Sequence, residues 1–186
     1  MKVLLFKIGF LVCLLLQVSY ANSFFLDTKA ETLPGIQPDS YAAFGVSLGG
    51  VYYLSSFDAS FALETEYHFL KYNAVHLFGA LSFPEMTYEL GTKYSFYFNP
   101  EKENFKDFCT FSLSVLFFEK FDDFTAAPRI GLAYGKDYKP FLKGPLTVRF
   151  TIGASYLIGD MLVRETSDYS GQSAHVVLFF TPTILF

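Results

Sequence analysis

Tryptophan is absent from these 186 residues, cysteine occurs only twice, and charged side chains make up 17%. Each scarcity excludes something. So few charges beside 52% hydrophobic residues leave no composition for disorder, and 14 basic against 18 acidic residues give no cationic footprint for nucleic acid. The three histidines, His68, His76 and His175, stand far apart with no cysteine beside them, so no Cys/His metal-ligand spacing exists. No phosphate-cradling glycine loop, zinc-protease helix or nucleophile elbow occurs, and no cofactor is implied. Beyond residue 21 no apolar run reaches the 18 residues of a membrane-spanning helix. What the chain has in quantity is phenylalanine, 24 residues, and tyrosine, 13, in a length that suits one domain.

Lys2 and Lys7 lead into an apolar stretch, Phe10 to Leu16, followed by the small-residue pattern Ser19-Tyr20-Ala21. The run is short for a spanning helix, so residues 1–21 read as a secretory signal peptide cleaved after Ala21. Cys13 lies within the apolar run with Val12 before it, where a lipidation site wants a small residue, so a lipoprotein is rejected. Cleavage leaves Cys109 alone and excludes an intramolecular disulfide. It also leaves 12 basic residues, 14 less Lys2 and Lys7, against 18 acidic ones, a net charge of −6.

The remainder carries a period of two. From Met86 to Phe98 one face reads Met86, Tyr88, Leu90, Thr92, Tyr94, Phe96, Phe98 and the other Thr87, Glu89, Gly91, Lys93, Ser95, Tyr97. Leu146 to Ile158 alternates in the same way, which is the signature of two-faced strands. The template yields eight strands, at about 41–54, 59–70, 74–82, 86–98, 109–118, 128–135, 145–158 and 173–186. Pro84, Pro100, Pro128, Pro140 and Pro145 fall at or between their ends, and only Pro182 falls inside one. Residues 22–40, with Pro34, Gly35 and Pro38, read as a periplasmic N-terminal extension without strand pattern.

Three features turn the apolar faces toward lipid. They are long and uninterrupted, as tilted strands crossing hydrocarbon require. The opposite faces carry Gly45, Gly49, Gly91, Gly131, Gly135 and Gly153 with Ser, Thr and Ala, the small residues that a narrow lumen admits. Tyrosine and phenylalanine cluster near strand ends (Tyr52, Tyr67, Phe98, Tyr156 among them), where an aromatic girdle would lie. The competing arrangement is a soluble β-sandwich or periplasmic lipocalin-like barrel with the apolar face inside.

The chain ends Val176-Val-Leu-Phe-Phe-Thr-Pro-Thr-Ile-Leu-Phe186, with Phe186, Ile184, Pro182, Phe180, Leu178 and Val176 on one face. This resembles the terminal strand of bacterial outer-membrane barrels, whose last aromatic and alternating apolar residues are read by the barrel-insertion machinery. With eight strands the chain resembles the small barrels of the OmpA membrane domain and OmpX type, over residues 41–186 and as a pattern without an internal motif. The resemblance implies an all-β, closed antiparallel transmembrane barrel in the outer membrane, monomeric, among lipid and lipopolysaccharide, with Phe180, Ile184 and Phe186 as the insertion signal. Pro182 departs from the pattern because it removes a ladder donor.

With the apolar face outside, Glu64, Glu66, His68, His76, Glu89, Lys93, Arg129, Arg149 and His175 point inward. Unpaired charges in a narrow barrel are expensive, so Glu64, Glu66 and Glu89 are expected to pair with Lys93, Arg129 and Arg149 as a polar plug, with His175 in the same network. The alternative is that these residues line a narrow pore for ions or small solutes. Asp58, Glu119, Asp122 and Asp123 fall in outward connections, and Lys106, Lys136, Asp107 and Asp137 in periplasmic ones. The segment 161–172 is the best loop for a partner. The resemblance also raises lipid A deacylation, which uses a His-x-Ser pair and an acid. Ser173-x-His175 has the reversed order, about 7 Å apart along a strand and facing away from lipid, so no catalytic residues are assigned and a non-enzyme is expected.

Overall fold

The computed structural model describes residues 41–186 except 54–55, 84–85, 103, 121–122, 141–145, 159–161, 167–168 and 175. The expected signal peptide at 1–21, the expected extension at 22–40 and His175 lie outside the described residues. Among the described residues ten strands form: β1 (Tyr41–Tyr53), β2 (Ser56–Leu70), β3 (Asn73–Phe83), β4 (Thr87–Tyr97), β5 (Phe105–Lys120), β6 (Asp123–Tyr138), β7 (Thr147–Leu157), β8 (Leu162–Thr166), β9 (Tyr169–Ala174) and β10 (Val176–Leu185). Eight close into an antiparallel barrel in the order β1-β10-β7-β6-β5-β4-β3-β2, and β8 and β9 pair as a separate hairpin. The closing seam is sealed by reciprocal backbone bonds between Phe44 and Phe186, 3.2 and 2.8 Å. Closure pairs every barrel strand on both sides and leaves no free edge, the condition for strands to cross a bilayer.

Alternation places the two chemistries on opposite sides. Leu48, Phe57, Leu77, Leu132 and Ile152 point outward and are more than half exposed, while Ser47, Glu64, Ser95, Arg149 and Thr183 point inward and are buried. The polarity is that of a membrane barrel, an apolar belt around a polar interior. At the end carrying residues 41 and 186, the terminal end, outward rings touch: Tyr72 with Phe96 at 6.3 Å, Phe96 with Phe98 at 5.7 Å and Phe105 with Tyr138 at 5.0 Å. Tyr52, Phe83 and Tyr156 stand exposed toward the opposite, hairpin end.

Several boundaries differ from the sequence expectation. The stretch 173–186 is not one strand, because Ser173 belongs to β9 and the barrel strand starts at Val176. Strands β5 and β6 extend well past 109–118 and 128–135, to 16 residues each. Lys106, Asp107, Lys136, Asp137, Glu119 and Asp123 are therefore strand residues, not connections. Asp58 likewise lies in β2, faces inward and is buried. Met86 is a turn residue with φ of 52°, and β4 begins after it.

Pro128 sits inside β6, opposite Val115. Its carbonyl accepts from Ile158 N–H at 2.8 Å, just past the end of β7, so its missing N–H faces a side where the β6–β7 ladder has stopped. Pro182 is accommodated comparably: the β1–β10 ladder pairs Ser47 with Thr183 and Gly50 with Phe180, and lapses between them.

Candidate functional site

The lumen is layered. At the terminal end Arg149, from β7, is held by three facing strands. Its Nε donates to Asp137 Oδ1 at 2.7 Å and Nη2 to Asp137 Oδ2 at 2.8 Å, on β6. Nη1 donates to Glu66 Oε2 at 2.6 Å and to Glu64 Oε1 at 3.4 Å, on β2. Nη2 also reaches the Tyr97 hydroxyl of β4 at 2.7 Å, and that hydroxyl donates to Glu66 Oε1 at 2.9 Å. His68 bonds the same Glu66 oxygen. Phe108 lies under the guanidinium, 4.7 Å from Cζ to the ring centroid, and packs on Tyr97 at 5.2 Å. Glycine is required opposite this ring, since a Cβ on Gly135 would fall 2.1 Å from Phe108 Cζ.

Above this layer Lys93 Nζ donates to Glu64 Oε2 at 2.7 Å and lies 4.5 Å from the Phe78 centroid. Beside the pair is a cavity of about 40 Å³ bordered by Glu64, His76, Lys93, Arg149 and the hydroxyl groups of Thr110 and Thr181. Such a space holds roughly three waters. The next layer pairs Arg129 Nη1 with Glu89 Oε2 at 2.7 Å, with Ser114 donating to Glu89 and Arg129 Nε to Ser155, both at 2.6 Å. Toward the hairpin end Val51, Leu116, Phe118, Ala127, Leu157 and Val177 form a buried apolar cluster with Phe179 against it, beside the inward, buried Asp58 that pairs with Val51.

Thus the structure brings together Glu64 with Lys93, Glu66 with Arg149 and Glu89 with Arg129. Sequence reasoning missed Asp137 and Tyr97 as members of the network. Parity could have found both: counting by twos from Arg129 through Gly131, Ala133 and Gly135 reaches Asp137, and Tyr97 shares the face of Lys93. His175 is outside the described residues, and Ser173 is described only through the backbone of β9. Phe180, Ile184 and Phe186 all face outward and are about half exposed. On the exterior near the terminal end, Asp107 accepts from Tyr134 at 2.6 Å and lies 3.3 Å from Lys136, which neutralises charge where the apolar belt stops. Lys71, in the turn between β2 and β3, donates to Glu101 in the connection between β4 and β5 at 2.9 Å and holds that carboxyl below its ordinary value.

No protein-family model and no curated protein matches the chain. Among solved structures, the N-terminal β-barrel domain of Pseudomonas aeruginosa OprF aligns with a TM-score of 0.56 at 7% identity, over 77% of this chain and 97% of that one. Neisserial surface protein A aligns with a TM-score of 0.52 at 9% identity, over 79% and 96%. A de novo designed transmembrane β-barrel aligns at 0.50 and 9%, over 81% and 97%. The fold is that of the small outer-membrane barrels. An outer-membrane barrel of eight strands encloses little more than its own side chains, and the layered lumen fits that limit.

Proposed function

We propose that this protein is a sealed, monomeric barrel of the bacterial outer membrane with a structural or surface-interaction role, and that it neither conducts nor catalyses. The observation that carries the reading is the double closure of the lumen. Arg149 ties β2, β4, β6 and β7 together at one end, and an apolar cluster around Leu116, Phe118 and Leu157 packs toward the other. An ion crossing would have to break a buried ion-pair network and then pass an apolar constriction, each a large barrier. The remaining capacity for contact lies outside the barrel, and the β8–β9 hairpin, Leu162–Ala174, is the longest excursion from it. On this reading lipid and lipopolysaccharide surround the apolar belt, and the insertion machinery reads Phe180, Ile184 and Phe186. The test is electrical recording on folded barrels in a planar bilayer, where no unitary current steps are expected. Reproducible steps from the wild-type chain would refute the sealed lumen and favour the narrow pore.

A further inference from the structure

Inside the lumen, Glu64, Glu66 and His76 bring three ligand atoms within 4.8 Å of one another, all on buried side chains. We propose that these three residues form a binding site for a divalent transition-metal cation of the zinc class, which would pin β2 to β3 across the plug.

The observation beyond the carboxylates is the imidazole of His76. Its side chain is 1% exposed, and Nε2 is engaged with Ser95 Oγ at 2.8 Å, Ser95 being itself bonded to Thr110 Oγ1 at 2.7 Å. Its other nitrogen, Nδ1, is buried and makes no hydrogen bond, although it points at Glu66 Oε2 from 3.6 Å. If Nε2 carries the proton and donates to Ser95, Nδ1 presents a bare lone pair to a carboxylate. If Nδ1 carries it, the nearest acceptor is too distant to bond. A cation between Nδ1 and the carboxylates satisfies both groups. A second ring nitrogen held by a hydrogen-bonded partner is the arrangement that orients metal-binding histidines.

Charge and space agree. The ion-paired groups here are three carboxylates, Glu64, Glu66 and Asp137, against two permanent cations, Lys93 and Arg149. Arg149 keeps a two-pronged grip on Asp137 if Glu66 turns away, and Lys93, a quarter exposed, can swing into the adjoining cavity. That cavity supplies room for a water as the fourth ligand. Nitrogen and oxygen donors without sulfur suit zinc-class ions better than soft metals. Ligand atoms around such an ion stand about 3.4 Å apart, so ligand atoms within 4.8 Å of one another need close by at most about 1.4 Å.

Because the lumen is sealed, the metal is loaded during folding. The full chain is refolded in detergent with zinc chloride, washed with chelator, checked for heat-dependent gel mobility, and assayed for zinc by plasma mass spectrometry. About one retained zinc per folded barrel is expected. His76→Gln should abolish retention, while Glu101→Gln, which alters an exposed carboxylate away from the lumen, should keep it. If His76→Gln does not fold, Glu64→Gln is read in its place with the same expected loss. A wild-type barrel that retains no zinc, or a folded cluster variant that retains as much as wild type, would overturn the site.

Discussion

Replacing Arg149 by alanine tests the physical core of the sealed-lumen argument. The guanidinium is 3% exposed and serves Asp137, Glu66, Glu64 and Tyr97 at once. Its removal leaves Glu66 and Asp137 buried with their main counter-charge gone, and breaking a buried pair from one side costs about 3–5 kcal/mol. With a urea slope near about 2 kcal/mol per molar, the unfolding midpoint of the gel-mobility shift should fall by roughly 2 M. The same reasoning expects Arg149→Met combined with Glu66→Gln and Asp137→Asn to recover most of the loss, because a neutral network has no orphaned charge. An Arg149→Ala barrel with an unchanged midpoint would refute the claim that this network supports the fold. A triple variant as weak as the single one would assign the loss to packing instead. Conductance separates the two closures: Arg149→Ala alone should stay silent because the apolar cluster at the hairpin end is intact, and current steps should need Leu157→Ala in addition.

Leu132, outward on β6 and 67% exposed, should resist charge in lipid although it is open: Leu132→Arg is expected to cost about 2–4 kcal/mol in refolding into vesicles, and a neutral result would contradict the outward apolar belt. Gly135→Val should drive Phe108 off the guanidinium, lowering stability by about 1–3 kcal/mol in the same urea titration, and an undisturbed midpoint would mean that the ring has free space.

The alternation from Met86 to Phe98 and from Leu146 to Ile158 was enough to read two-faced strands. The same template along the chain gave their number in the barrel, and the length of the apolar faces, the small residues opposite them and the aromatics near strand ends turned those faces toward lipid. Local pattern carries that information because side-chain direction in a strand depends only on parity. The same parity marked Glu64, Glu66, Glu89, Lys93, Arg129 and Arg149 as inward. It failed where a rule about composition overrode it: Asp137 and Asp58 read as connection residues and Pro128 as a strand end, because charge and proline ordinarily end strands, whereas here the lumen or a stopped ladder accommodates them.

Barrel closure, by contrast, is a property of eight strands together. Arg149 lies 83 residues from Glu66, and no local pattern says that these meet, whereas Asp137 is its direct partner across the β6–β7 hairpin. Partner choice across a lumen depends on stagger and tilt, which set which inward residues share a level, and the chain encodes those only through the whole set of strand registers. For the same reason the apolar cluster toward the hairpin end and the small cavity beside Lys93 exist only once the sheet has closed, whereas His76 meets Glu66 already as its cross-strand partner in the β2–β3 hairpin. The sequence alone determined a two-faced strand protein with an apolar exterior. Tertiary structure decided how its buried charges are paired and where the lumen is shut, because those depend on distances between residues that only ring closure makes neighbours.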